Sequence, residues 1–394
     1  MIVIEVVQWI LFIYLAITTL YIFVFSFASL FPYNPHTLLD IKKRKFAVLI
    51  PGYKEDDVIV EVAKDALNQD YPADLYDIVV IADSFNSKTL KKLKELPVKV
   101  IEVSFESSTK SKALNKAMEQ LPEDYDLALV LDADNLMESD FLTKINNTFS
   151  NKCIIVQGHR MAKNTDTSFA VLDAVSEEIN NNIFRKGHRI LGLSAAIIGS
   201  GMAIEYNYFK NLMKTIKAVG GFDKEIELKT LKDKHVIEYD NHAYVYDEKV
   251  QKAEVFQSQR RRWLSAQLHY FTKDILTALK YLITKGNIDY FNKAIQFSLL
   301  PRIMLLGILF IITILSIIFN PLYYTYAWLI VLIACILSFL FSIPRKFYNF
   351  KTFKAILTLP KGFFLMFVSL IKIRGANKKF IHTKHTGTSK NKNI

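Results

Sequence analysis

The sequence predicts an α/β domain, built on a mostly parallel sheet and flanked by transmembrane helices. Three observations predict it. Short apolar runs alternate with polar, helix-like stretches from residue 45 to about 131. A polar cluster follows each of those runs. Residues 6–39 and 303–344 contain no Asp, Glu, Lys or Arg. Strands alternating with helices imply parallel strands joined by right-handed crossovers. A chain of 394 residues is long for one ordinary domain, and the charge-free stretches account for part of it.

The elements follow in order. Residues 7–31 form a first span, since roughly 20 apolar residues cross a bilayer. No basic segment precedes them and the run is too long for a cleaved leader, so a signal peptide is rejected. Lys42, Lys43, Arg44 and Lys45 come next. The domain proper covers residues 45–275. Strands are expected at 46–50, 78–82, 98–103 and 127–131, with helices at 57–68, 87–96 and 111–120. Gly199-Ser200-Gly201-Met202 and Gly220-Gly221-Phe222 mark tight turns, and residues 257–270 read as helix. Interfacial helices fill 276–302. Two spans fill 303–343, separated by Asn320-Pro321. Residues 353–373, broken by Pro360-Lys361-Gly362, read as an interfacial or re-entrant segment, and 374–394 as a basic tail.

Lys and Arg set the orientation. They follow the first span and, as Arg345, Lys346 and Lys351, the third, while the outer turn has none. The N-terminus is therefore expected outside and the domain in the cytoplasm, at the cytoplasmic (inner) membrane. The net charge of +12 sits largely beside the apolar segments and in the tail. Membrane lipids are thus the expected partner and nucleic acid is not, for no stacking or groove-reading motif accompanies it. Cys153 and Cys335 stand alone, which excludes a disulfide framework and a zinc site. His382 and His385 read as tail residues rather than metal ligands.

The polar clusters carry the chemistry. Pro51-Gly52-Tyr53-Lys54-Glu55 follows the first strand, Asp83 the second, and Lys110 and Lys112 lie beyond the third. Asp132-Ala133-Asp134 closes the fourth. In parallel sheets ligands bind beyond the carboxyl ends of the strands. No Gly-x-Gly-x-x-Gly turn is present after the first strand, which argues against a dinucleotide. Two carboxylates one residue apart suit Mn2+ or Mg2+, which take oxygen ligands and keep positions for phosphate oxygens. Plainer readings exist: Asp83 as a helix cap, Lys110 as a solvated residue, Trp263 as an interfacial anchor.

Taken together, these motifs resemble the membrane-bound family 2 glycosyltransferases, the group of cellulose, hyaluronan and poly-N-acetylglucosamine synthases. The resemblance covers about residues 45–270. It rests on Ile50-Pro51-Gly52-Tyr53-Lys54-Glu55, Asp83, Lys110-Ser111-Lys112-Ala113-Leu114-Asn115, Asp132-Ala133-Asp134 and Gln259-x-x-Arg262-Trp263. It implies a GT-A-type nucleotide-sugar domain and inverting, metal-dependent sugar transfer from a nucleotide sugar, a UDP-sugar, to a saccharide or lipid acceptor. Pro51, Tyr53, Glu55, Asp83, Lys110 and Asp132 would bind substrate. Asp134 would be the principal metal ligand, with Asp132 beside it. Gln259, Arg262 and Trp263 would serve the diphosphate and acceptor; the plainer reading, that the three consecutive arginines meet lipid head groups, suits Arg260 or Arg261 better than Arg262.

The departure concerns the proton acceptor. Gly220-Gly221-Phe222-Asp223 runs into Lys224-Glu225-Ile226-Glu227-Leu228, which puts Glu225 where the family has an aspartate; Asp223 and Glu227 remain alternatives. That irregularity motivates a rival reading, a non-catalytic nucleotide-binding sensor or assembly subunit of a polysaccharide system. Three spans are few for a polymer channel, so a polymer product would call for a homo-oligomer or an export partner.

Overall fold

The computed structural model describes residues 2–35, 42–149, 153–216, 218, 220–251 and 253–372. One eight-stranded sheet organises the domain. Its strands are β1 (Phe46–Tyr53), β2 (Tyr76–Asp83), β3 (Lys99–Val103), β4 (Leu127–Val130), β5 (Leu136–Met137), β6 (Cys153–Ala162), β7 (Met202–Glu205) and β8 (Val236–Asp247), in the spatial order β3-β2-β1-β4-β7-β6-β8-β5. The first four are parallel throughout. Beyond them β7 runs antiparallel to both β4 and β6, and β5 antiparallel to β8. The sheet is therefore mixed, and the expected parallel character belongs to its first half. Past residue 131 no strand–helix alternation announced the return strands.

Both faces of the sheet are buried, which explains why β1 and β4 read as unbroken apolar runs. Ala47 and Leu49 face one core with helix Lys110–Gln120, whereas Phe46, Val48 and Ile50 face the other with helices Ile59–Ala66 and Phe141–Thr148. Capping sets where the helices start. Thr109 Oγ1 accepts from Lys112 N at 3.2 Å, so Lys110 is the first helical residue and stands at the sheet rim.

Among the described residues three helices are long and apolar enough to cross a membrane: Glu5–Ala28, Arg302–Phe319 and Leu322–Ser342. The pair Phe350–Ile356 and Leu359–Ile371 is bent by 46°, a broken span or a re-entrant loop. Helix Ala253–Lys285 runs through residue 275, so the expected domain border falls inside one helix. The basic tail 374–394, with His382 and His385, lies outside the described residues.

The domain docks tightly on the first apolar helix. His188 stacks on Phe25 at 3.7 Å and meets Tyr21 Oη at 2.9 Å. A Cβ on Gly187 would come within 2.1 Å of the Phe25 carbonyl oxygen, so only glycine allows this approach.

Candidate active site

The carboxyl ends of β1, β2 and β4 meet at one cleft of about 870 Å³. Lys54 and Ser84, just past β1 and β2, hold φ of 54° and 60°, conformations rare for residues with a side chain. Lys54 N donates to the Asp83 carbonyl at 3.1 Å, and Ser84 Oγ donates to Asp83 Oδ1 at 2.9 Å. The two strand ends are thus tied together. Pro51, Tyr53, Glu55, Asp83, Lys110, Asp132 and Asp134 all line the cleft. Sequence reasoning placed them at separate strand ends, and the fold assembles them.

The Asp132–Asp134 loop is held by residues that sequence reasoning missed. Asn135 Oδ1 accepts from Asp132 N at 3.0 Å and from Ser200 Oγ at 2.7 Å. Asn135 Nδ2 donates to Asp134 Oδ1 at 3.2 Å, and Glu248 N donates to Asp134 Oδ2 at 2.8 Å. Buried Gln157 in turn donates to the Ser200 carbonyl at 2.9 Å. Gly201 has φ +60°, and a Cβ there would lie 2.5 Å from Val245 Cγ1. The Gly-Ser-Gly turn, read only as a turn, is what braces the carboxylates.

Lys110 Nζ pairs with Asp132 Oδ1 and donates to the Gly199 carbonyl at 2.8 Å. Asp134 is only 3 % exposed, with its oxygens oriented by neutral donors, whereas the Asp132 side chain is 37 % exposed. Among the described residues no group of three or more His, Cys, Asp or Glu could cage a metal. Two carboxylates at a cleft rim fit a hard cation that shares its remaining positions with phosphate and water.

The three candidate proton acceptors sit on or beside helix Phe222–Lys232, in different settings. Asp223 lines the cleft, and a Cβ on Gly199 would touch its Cβ at 3.3 Å. It therefore stands beside the Lys110–Asp132 pair. Glu225 is not among the cleft residues. It is buried and pairs with Lys229 at 3.1 Å. Burial, with the Glu225 and Asp223 carboxylates nearby, pushes the Tyr270 phenol far up. Glu227 is buried against Lys293 at 2.6 Å.

Gln259, Arg262 and Trp263 line the same cleft from helix Ala253–Lys285. Arg260 also lines it, pairing with Asp173 and lying 4.4 Å from the Trp263 ring centroid. Its expected place among lipid head groups is corrected: the carboxylate and the indole hold it inward. The model of the family described as "Glycosyltransferase like family 2" matches residues 43–266.

The chain belongs to glycosyltransferase family 2.

Curated relatives at 25 % identity over 231 residues are beta-monoglucosyldiacylglycerol synthases from Nostoc sp. and from Trichormus variabilis. The match covers 55 % of this chain and 47 % of each relative, so the chain spans about half the length of the curated relatives it matches. Among solved structures, a mannosyltransferase from Pyrobaculum calidifontis with GDP-Man and Mn2+ aligns at 16 % identity and TM-score 0.47, covering 83 % of this chain and 99 % of that one. Glucosyl-3-phosphoglycerate synthase from Mycobacterium tuberculosis, with Mn2+ and UDP, aligns at 14 % identity and TM-score 0.40, covering 60 % and 84 %.

In this family 2 glycosyltransferase the GT-A cleft does not stop at the sheet rim. It passes a wall of buried charge: Arg160 Nη2 donates to Glu177 at 2.9 Å, Arg185 Nη1 to Glu177 at 3.2 Å, and Lys249 pairs with Asp247 at 2.6 Å. Burial raises the Glu177 carboxyl, but Arg160, Lys249 and Arg185 overcome it and hold it far below the usual range. Burial pushes the Asp247 carboxyl up to about 6 against Arg160 and Lys249. None of these residues belongs to a local motif, and only their cleft-side convergence makes them visible. The cleft then continues among Leu306, Ile336, Phe339 and Met366, on the apolar helices.

Proposed function

We propose that the protein transfers a sugar, with inversion, from a UDP-sugar to a lipid acceptor that reaches the cleft from the membrane. The observation that carries this reading is the continuity of the cleft, from the Asp132–Asp134 rim to an apolar groove on the membrane helices. A growing glycan needs hydrogen-bonding walls along its path. The membrane end of this cleft is instead lined by Leu, Ile, Phe and Met side chains, which suit an acyl or prenyl chain. The curated relatives, named for a glucosylated diacylglycerol, support a lipid acceptor.

Asp134, with Asp132, would hold the Mn2+ or Mg2+, which when bound offsets charge on the departing diphosphate. The protein's own residues do the rest. Pro51, Tyr53, Glu55 and Asp83 hold the nucleoside end, and Lys110 adds positive charge at the same rim. Gln259, Arg262 and Trp263 flank the reacting sugar. The acceptor oxygen bonds to the anomeric carbon as the bond from that carbon to the donor's phosphate oxygen breaks. Asp223 takes the acceptor's proton, and the nucleoside diphosphate leaves. The apolar helices, with Lys and Arg following the first and third of them, support a site on the inner face of the cytoplasmic membrane, with the N-terminus outside.

The deciding variant is Asp134→Asn. It keeps size and one of the two hydrogen bonds the carboxylate accepts, but removes the ligand charge. Transfer of labelled sugar into the lipid fraction should fall by more than about 100-fold, with the circular dichroism spectrum unchanged. Full transfer by that variant would end the proposal.

A further inference from the structure

We infer that the acceptor lipid carries a phosphate, and that Arg302, with Arg260 beside it, is the site that receives it. The inference rests on the lipid-acceptor reading above and names the lipid's chemical class.

Helix Ser168–Asn180 presents Asp173, Ser176, Glu177 and Asn180 to the cleft, at the i, i+3, i+4, i+7 spacing of one helix face. The cations facing it are treated unequally. Arg260 is neutralised by Asp173, and Arg185 by Glu177. Arg302 donates only to neutral oxygens: Asn180 Oδ1 at 2.6 Å, the Ser176 carbonyl at 3.0 Å and Ser176 Oγ at 2.8 Å. Among the described residues no carboxylate lies within ion-pair distance of it. A half-buried guanidinium without a counter-charge is costly. Three bonds also leave part of its five-donor fork unused.

The position of Arg302 selects the anion. It opens the second apolar helix and lines the cleft where the polar wall gives way to Leu306, Ile336, Phe339, Leu340, Ile356 and Met366. A ligand that fills both parts has an anionic head and a long apolar tail. The planar guanidinium fork matches phosphate geometry, with two parallel N–H···O bonds. The Asp173-paired Arg260, whose partner lies one turn from Ser176 on the same helix, adds a second donor group. The cleft that Arg302 lines also reaches the Asp132–Asp134 rim, where the sugar is transferred. The reacting acceptor's own phosphate is therefore the occupant, rather than bulk head groups.

The reaction stays as written above: the acceptor hydroxyl bonds to the anomeric carbon, its proton goes to Asp223, and the nucleoside diphosphate departs. The phosphate of the acceptor is a handle and forms no new bond. The curated relatives are named for a diacylglycerol product, whose acceptor is uncharged, so the two predictions separate cleanly.

The test uses the full chain in neutral detergent, a labelled UDP-sugar, and the total lipid extract of its own cell membranes. The lipid products are passed over an anion exchanger. Labelled lipid retained on the column is the expected result. In addition, Arg302→Gln should raise the lipid concentration for half-maximal rate about tenfold or more and leave the KM for the donor in place. Arg302→Lys, which keeps charge but not the fork, should fall between. Labelled lipid in the flow-through, or a lipid KM that Arg302→Gln does not move, overturns the inference while leaving a lipid glycosyltransferase. Label entering no lipid fraction overturns the lipid-acceptor reading itself, and this inference with it.

Discussion

Asp223 and Glu225 are two residues apart on one helix, and only Asp223 lines the cleft. A helix turns about 100° per residue, so residues at i and i+2 point to nearly opposite sides. Motif alignment favours Glu225 because it counts positions along the chain. The fold favours Asp223, because Glu225 is buried away from the cleft and pairs there with Lys229. The two are separable by steady-state UDP release. Asp223→Asn should lower kcat by about 100-fold or more, the usual worth of a general base. Glu225→Gln should cost less than about tenfold, through packing alone. Reversed magnitudes would return the role to Glu225. Asp83, Lys110, Asp132 and Asp134 were legible because each closes a recognisable strand or opens a helix. Asn135, Gln157 and Ser200 were not, since a buried amide or hydroxyl in a loop has no sequence signature until its partner is known.

At the scale of elements, the parallel half of the sheet was readable from its apolar runs and polar ends. The antiparallel strands β5 and β7 were not, because pairing between distant segments is set by the sheet. The turn before β7 shows the consequence. Gly201 combines positive φ with a 2.5 Å approach to Val245, and Ser200 beside it braces Asn135. Gly201→Ala should destabilise the domain by about 2 kcal/mol, through strain and overpacking. Thermal unfolding in detergent should show the lowered midpoint, and sugar transfer at permissive temperature should fall as well. A variant with wild-type midpoint and rate would mean the turn has slack. Helix Ser168–Asn180 shows the same limit of sequence reading. Four of its cleft-lining residues are polar at helical spacing, yet their partners Arg160, Arg185, Arg260 and Arg302 come from four separate parts of the chain.

Over the whole molecule, polar ties join the catalytic domain to the apolar helices. Glu178 meets His159 on β6 at 3.0 Å and Lys346, just past the third apolar helix, at 3.1 Å. Burial raises the Glu178 carboxyl, but His159 and Lys346 override it and hold it at about 2, below its ordinary 4.5. A depressed carboxyl stabilises the fold above its unfolded value and ceases to as pH falls through the folded one. The tie, on the order of 3 kcal/mol, should therefore be intact above about pH 4.5 and lost between 4.5 and 2. Acid titration followed by tryptophan fluorescence should show a transition in that window that Glu178→Gln shifts or removes. An identical titration in the variant would assign acid unfolding elsewhere. The sequence by itself determined the family, the strand-end carboxylates and the apolar helices, because each is a local pattern of chemistry or period. Only the tertiary structure decided which of the three candidate proton acceptors lines the cleft, that Arg302 donates to neutral oxygens, and that the donor rim runs on into an apolar groove. Those properties depend on which side chains meet across the fold, and the spacing of residues along a chain does not carry that information.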